Sequence, residues 1–204
     1  LSDRLVLLTG FEPFGGDCDN PSWDAVAPLN GELVPGHYIV ARRLPCVFGH
    51  ALDELAGHVA ALSPRLLIAV GYAAARTQIA VERVAINIDD ARAPDNAGNR
   101  PIDTPVITGG PAAYFSTIPI KAIVRAIRAA GIEASVSQSA GTYVCNHVFY
   151  AACHIAAGLP YTMPTGFLHV PRWPPAVLTD AIRIAVSTAL TTRADIAETG
   201  GAIS

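Results

Sequence analysis

Two short apolar runs decide most of what this chain can become. Leu5-Val6-Leu7-Leu8-Thr9 closes on Gly10, and Leu66-Leu67-Ile68-Ala69-Val70 closes on Gly71. Neither run has a polar face and both are short, the pattern of a strand covered on its two sides. Helical spacings fall between such strands. Leu52, Leu55, Ala56, Val59 and Leu62 line one face over residues 49–62, and Ile120, Ile123, Val124 and Ile127 do so over 119–130. Pro174-Pro175 opens a last helix carrying Leu178, Ala181, Ile182, Ala185, Val186 and Leu190. A short helix follows Asn20-Pro21-Ser22, and further strands are predicted over 37–44, 77–89, 135–137 and 166–171. In the 77–89 segment the apolar phase slips near Glu82-Arg83, which predicts a bulge. The alternation gives an α/β fold: one domain over 1–204, a three-layer α/β/α arrangement with a mostly parallel twisted sheet and helices on both faces. Residues 90–105 are polar and turn-rich, a long ordered loop or arm.

The chain has 204 residues, 51% of them hydrophobic and 15% charged, so double-faced sheet burial, an oligomer interface, or both are expected. A net charge of -3 and the absence of any Lys/Arg run argue against a nucleic-acid partner. The run at 5–8 is too short for a signal segment or a membrane span, so the expectation is a soluble cytoplasmic protein without a membrane partner. Cys18, Cys46, Cys145 and Cys153 form no CxxC pair and are read as reduced thiols. A metal site built from Cys145, His147, Cys153 and His154 fails on reach. At helical rise the two sulfurs would lie about 12 Å apart.

The chemistry gathers at 139–147, Ser-Ala-Gly-Thr-Tyr-Val-Cys-Asn-His, a strand-like run that breaks at Gly141 and brings Cys145 to the start of an apolar helix. Unpaired N–H groups and the helix dipole there favour a thiolate, which makes Cys145 a candidate nucleophile as well as a candidate core residue. Such a nucleophile needs a base, and the base needs an orienting group. His147 lies two residues on and faces elsewhere; His37, His50 and His58 sit in ordinary amphipathic patterns, and His154 lies deep in the cysteine helix. His169 remains, at a strand end before Pro171. Glu82 lies inside an apolar stretch, where a carboxylate requires a partner: Arg83, Arg92 or a histidine. Residues 10–16, Gly-Phe-Glu-Pro-Phe-Gly-Gly, read either as a loop stapled to the core by Phe11 and Phe14 or as a flat apolar binding wall. They have neither P-loop nor GxGxxG spacing.

Four segments together resemble the pyroglutamyl peptidase I family of cysteine peptidases. They are Thr-Gly-Phe-Glu-Pro-Phe-Gly-Gly at 9–16 with Asn20-Pro21-Ser22, Val-Glu-Arg-Val-Ala-Ile-Asn at 81–87 with Asp90-Ala91-Arg92, Ala-Gly-Thr-Tyr-Val-Cys-Asn-His at 140–147, and Phe167-Leu168-His169-Val170-Pro171. The likeness spans nearly the whole chain in order. It implies a catalytic triad of Cys145, His169 and Glu82, a substrate loop bearing Phe11 and Phe14, Arg92 at the active site, and Tyr143 and Val144 lining the pocket. It further implies hydrolysis of the bond after an N-terminal pyroglutamyl residue, no cofactor, no metal, a cytosolic setting and a homotetramer. Tyr72-Ala73-Ala74-Ala75 departs from the family's glycine-rich pattern after the Gly71 strand, Ala93 replaces a larger aliphatic residue, and the connection through Arg172-Trp173 is shortened. The alternative expectation is a non-catalytic lactam-binding or scaffold protein with an altered pocket. An amidotransferase-type nucleophile turn is disfavoured, because no glycine lies within two residues of Cys145.

Overall fold

The computed structural model describes residues 4–201. Strands β1 (Leu5–Phe11), β2 (Leu33–Val34), β3 (His37–Leu44), β4 (Leu66–Tyr72), β5 (Ile79–Glu82), β8 (Ala134–Ser137) and β9 (Thr165–Val170) form one sheet in the order β2-β3-β1-β4-β9-β5-β8. β3, β1, β4 and β9 run parallel, while β5 is antiparallel to β9 and is followed by β8 in its own direction. Helices α1 (Pro21–Val26), α2 (His50–Leu62), α3 (Ile120–Ala129), α4 (Val144–Gly158) and α5 (Pro175–Thr191) cover both faces.

Strand alternation divides the apolar side chains between two cores. Val6, Leu8, Ile68, Val70 and Leu168 pack with α1, α3 and α5. Leu7, Phe11, Leu67, Ala69 and Phe167 pack with α2 and α4. The period of two in each strand produces this division, and it explains why β1, β4 and β9 have no polar face in sequence. α4 is buried along most of its first ten residues, as its all-round apolar character requires. Among the described residues no helix is long and apolar enough to cross a membrane.

Two local readings change. The segment 77–89 is not one bulged strand: β5 ends at Glu82, and β6 (Val84–Ile86) leaves to form a separate two-stranded sheet with β7 (Ala113–Phe115). The slip in apolar phase at Glu82-Arg83 marks a change of sheet. The run before Cys145 is not a strand either; β8 stops at Ser137 and the chain reaches α4 through an irregular turn. The arm at 90–105 has no regular element, yet the Asp89–Thr104 bridge and the buried Asp95 hold it. Burial works against the Asp95 charge, but hydrogen bonds from Asn99 and from the N–H groups of Phe48, Asn99 and Ala97 outweigh it and hold the carboxyl below its usual range. In the tail, Asp195 caps the first turn of α3 through the N–H groups of Lys121 and Ala122, at 3.1 and 2.9 Å; residues 202–204 lie outside the described residues.

α1 approaches β1 closely enough to require a residue without a side chain. A β-carbon on Gly10 would lie 2.8 Å from both the Ser22 carbonyl oxygen and the Trp23 α-carbon. Backbone cannot yield as a side-chain tip can, so Gly10→Ala is expected to lower unfolding free energy by about 1–3 kcal/mol, the usual range for overpacking. Urea denaturation of the two proteins measures the difference.

Candidate active site

β9 carries Phe167 and His169 on the α4 side of the sheet, and the neighbouring strands bring the rest of the site to the same face. Gly71 of β4 pairs with His169 on one side, and Ala80 of β5 pairs with it on the other. Glu82, two residues beyond Ala80, therefore shares the face of His169. The two side chains meet: His169 Nδ1 lies 2.8 Å from Glu82 Oε1, with both residues buried. With the carboxylate oxygen accepting, Nδ1 donates the hydrogen of this bond and Nε2 is left out of it.

Cys145 is the second residue of α4, and its sulfur packs onto the sheet where a side chain is missing. A β-carbon on Gly71 would be 2.7 Å from Cys145 Sγ and 2.8 Å from the Phe167 ring. The strand register makes His169 the neighbour of that same glycine. Sulfur, imidazole and carboxylate thus occupy one face around Gly71.

The charge state of the sulfur differs from the sequence-based expectation. Burial pushes the Cys145 thiol well above its usual range, and Cys46 and the Glu82 carboxylate push in the same direction. Near a helix N-terminus the dipole favours a thiolate, but enclosure outweighs it here. Enclosure of this half-buried sulfur favours the thiol, and a thiol needs a base to become a nucleophile. Cys46, pushed up to about 12 chiefly by burial, is a thiol as well.

Three loops are joined around this face. Glu12 Oε1 accepts from the Cys46 N–H and from the Asn96 side chain, while Asn20 donates to the Glu12 carbonyl and Ser22 Oγ accepts from the Phe11 N–H. Tyr143 donates its hydroxyl to the Pro94 carbonyl, 3.0 Å away. Its ring lies 5.7 Å from that of Phe14 and meets Phe48 edge-on at 5.4 Å. No side chain caps α4, so the N–H groups of its first turn, from Val144 and Cys145, remain uncapped by any side chain. Phe11 is buried in the core and forms a floor rather than a wall; Val144 is buried too. Arg92 lies exposed on the arm. Neither cation proposed as the partner of Glu82 fills that place: Arg83 turns to the Gly200 carbonyl, and the partner is Arg76, 3.3 Å from Oε1.

Sequence reasoning passed over Arg76, Phe48 and the pair Asp89–His147. His147 Nδ1 lies 2.8 Å from Asp89 Oδ2, and its Nε2 accepts from the Gly49 N–H. Because Nε2 accepts, this ring is neutral and serves to tie α4 to the loop carrying Phe48. Asp89 follows an apolar strand pattern, as Glu82 does, and that buried acid was the one available signal. Cavities of about 610 and 600 Å³ lie beside Phe115, Thr117 and Pro164, away from this group. Volume does not identify the site; its chemistry does.

The pyroglutamyl peptidase family model matches residues 4–198. The chain belongs to the pyroglutamyl peptidase family. A pyrrolidone-carboxylate peptidase of Cupriavidus necator is 55% identical, with 97% of this chain and 98% of that protein covered. The crystal structure of pyroglutamyl peptidase I from Bacillus amyloliquefaciens superposes with a TM-score of 0.92 at 42% identity, covering 95% of this chain and 100% of the other. A mutant pyrrolidone carboxyl peptidase from Pyrococcus furiosus gives 0.89 at 37% identity, covering 92% and 98%. Tyr72, where the sequence departs from the glycine-rich family pattern, is held in place by neighbouring side chains. The Arg172 guanidinium lies 4.9 Å over the Tyr72 ring and pairs with Asp17 and Asp19 at 3.0 Å.

Two outcomes are expected for the thiol. Gly71→Ala should move Sγ off the sheet and cost about 1–3 kcal/mol of stability, read by urea denaturation. In His169→Ala the imidazole beside the sulfur is gone, so alkylation of Cys145 by chloroacetamide should be slower at pH 7 than that of exposed Cys18 and should rise only in alkaline buffer. Mass spectrometry of the two peptides measures both rates.

Proposed function

We propose that this protein is a cysteine exopeptidase that hydrolyses the amide bond after an N-terminal pyroglutamyl residue through a thioester acyl-enzyme. The observation that carries the reading is the buried His169–Glu82 hydrogen bond beside the sulfur seated on Gly71. Family membership supplies the substrate class.

A pyroglutamyl group is a neutral, nearly flat lactam with no ammonium to grip, so it suits an apolar slot with a few amide partners. Phe14 and Tyr143 offer ring faces, Phe48 supports Tyr143 from behind, and Phe11 and Val144 close the base. Nε2 of His169 takes the Cys145 proton as the sulfur attacks the pyroglutamyl carbonyl, which lets a raised thiol react at neutral pH. N–H groups at the start of α4 stabilise the oxyanion, with Arg92 near the rim. The imidazolium returns its proton to the departing amine as the C–N bond breaks and the thioester remains. Water then gives a proton to Nε2 and attacks the thioester, and the proton returns to sulfur as pyroglutamate leaves. Glu82 holds the ring and stabilises its charged form throughout.

The same reading makes the chain one peptidase domain over 1–204 that uses no cofactor or metal and works as a homotetramer in the cytoplasm. Four free cysteines fit a reducing compartment. Phe115, 70% exposed, and Ile102, 72% exposed, offer apolar surface for assembly. Release of a fluorophore from an N-terminal pyroglutamyl amide tests the activity. Cys145→Ala should abolish release while retaining the fold, and His169→Ala and Glu82→Gln should each lower kcat by about 10³-fold or more. Unchanged cleavage by Cys145→Ala removes the assignment.

A further inference from the structure

Glu82 is entirely buried, yet among the described residues only one of its oxygens has partners. Oε1 receives both His169 Nδ1 at 2.8 Å and Arg76 Nη2 at 3.3 Å, while Oε2 has no hydrogen-bond partner among those residues. A buried carboxylate without a cation either takes up a proton or holds a neighbouring imidazole in its charged form. Arg76 comes from the turn between β4 and β5 and is partly open to solvent. The same Nη2 also donates to Ser137 Oγ at 2.8 Å and to the Ser139 carbonyl at 3.1 Å. Ser139 lies in the irregular turn that delivers Cys145 to α4. One guanidinium therefore joins the acid that orients the base to the segment that carries the nucleophile.

We propose that Arg76 is a positioning residue whose charge balances Glu82, so that His169 rests neutral and free to take the Cys145 proton. The proposal rests on the triad reading above and adds to it the cation that sets the resting protonation of that triad. The charged and titratable groups around the imidazole are Glu82 on β5, Cys145 on α4 and Arg76 on the turn. Arg83, next to Glu82, is engaged with the Gly200 carbonyl. Cys46 raises the thiol, and the thiol in turn raises the Tyr143 hydroxyl.

The sign follows directly. Removing Arg76 leaves the Glu82 charge to be balanced by the imidazole, which favours the protonated ring. The ring must then lose its proton at higher pH before it can act as a base. In Arg76→Gln and Arg76→Met the acid limb of the rate profile should move up by about one pH unit or more, in line with the effect of a single charge at this range. Activity should fall about tenfold on the acid limb and much less on the alkaline side. Arg76→Lys, which retains the charge, should keep the limb at its wild-type position.

Two profiles are measured: kcat/KM on a pyroglutamyl aminocoumarin, and the rate of Cys145 alkylation by uncharged chloroacetamide followed by peptide mass spectrometry. The second requires no peptidase activity. If the wild type fails to cleave the amide, the function falls while the alkylation profile still judges Arg76. A shifted acid limb in a folded neutral variant, restored by Arg76→Lys, supports the proposal. Coincident limbs in the neutral variants and wild type overturn it, and so does failure of both neutral variants to fold, since a purely structural role then accounts for the contacts.

Discussion

The site depends on a missing side chain. At Gly71 the sheet is bare, and the first turn of α4 descends onto it until Cys145 Sγ touches the backbone where a β-carbon would otherwise stand. The parallel register of β4 and β9 then fixes His169 beside that contact, and β5 brings Glu82 to the imidazole from the far side. Nothing in this arrangement requires a flexible element. Cys145 sits on a buried helix, His169 on a central strand and Glu82 on the strand next to it, and rigid elements of this kind hold a site's geometry better than loops do.

Loops supply what is left, and they are held by polar side chains in specific places. Glu12 links the first loop to Cys46 and Asn96, and Asp95 folds the arm on itself and takes the Phe48 N–H. Tyr143 ties the start of α4 to the arm at Pro94. Carboxylates accepting backbone N–H groups, half-buried at Glu12 and buried at Asp95, recur across these connections. Each costs desolvation and returns it in several charge-assisted hydrogen bonds, and the result is a fixed aromatic wall with no regular secondary structure beneath it.

Much of this was legible in the sequence because burial on two faces leaves an unmistakable pattern. Continuous apolar runs at 5–8 and 66–70 became β1 and β4, and the helix periods at 49–62 and 119–130 became α2 and α3 nearly to the residue. Glu82 could be singled out because an acid within an apolar strand has no reason to be there without a partner. Its partner Arg76 could not, since an arginine in a turn looks the same whether it reaches solvent or a carboxylate six residues away. The change of sheet at Arg83 was visible only as a lost phase, and phase cannot distinguish a bulge from a departure. The forces on the Cys145 thiol were only half readable: the helix start is local, whereas the enclosure that opposes it comes from β4, β9 and the loop after β3, far away along the chain.

β5 and β8 run against the β3-β1-β4-β9 block, and that reversal bears on when the protein acquires its chemistry. The pairing of β5 with β9, the last strand in the sequence, joins segments separated by 87 positions at the His169–Glu82 bond. Non-local ladders carry the heaviest loop-closure entropy and are slow to form. A refolding chain in which β5 and β9 have not yet paired therefore has an acid with no imidazole to orient, however complete its helices and its β3-β1-β4 block.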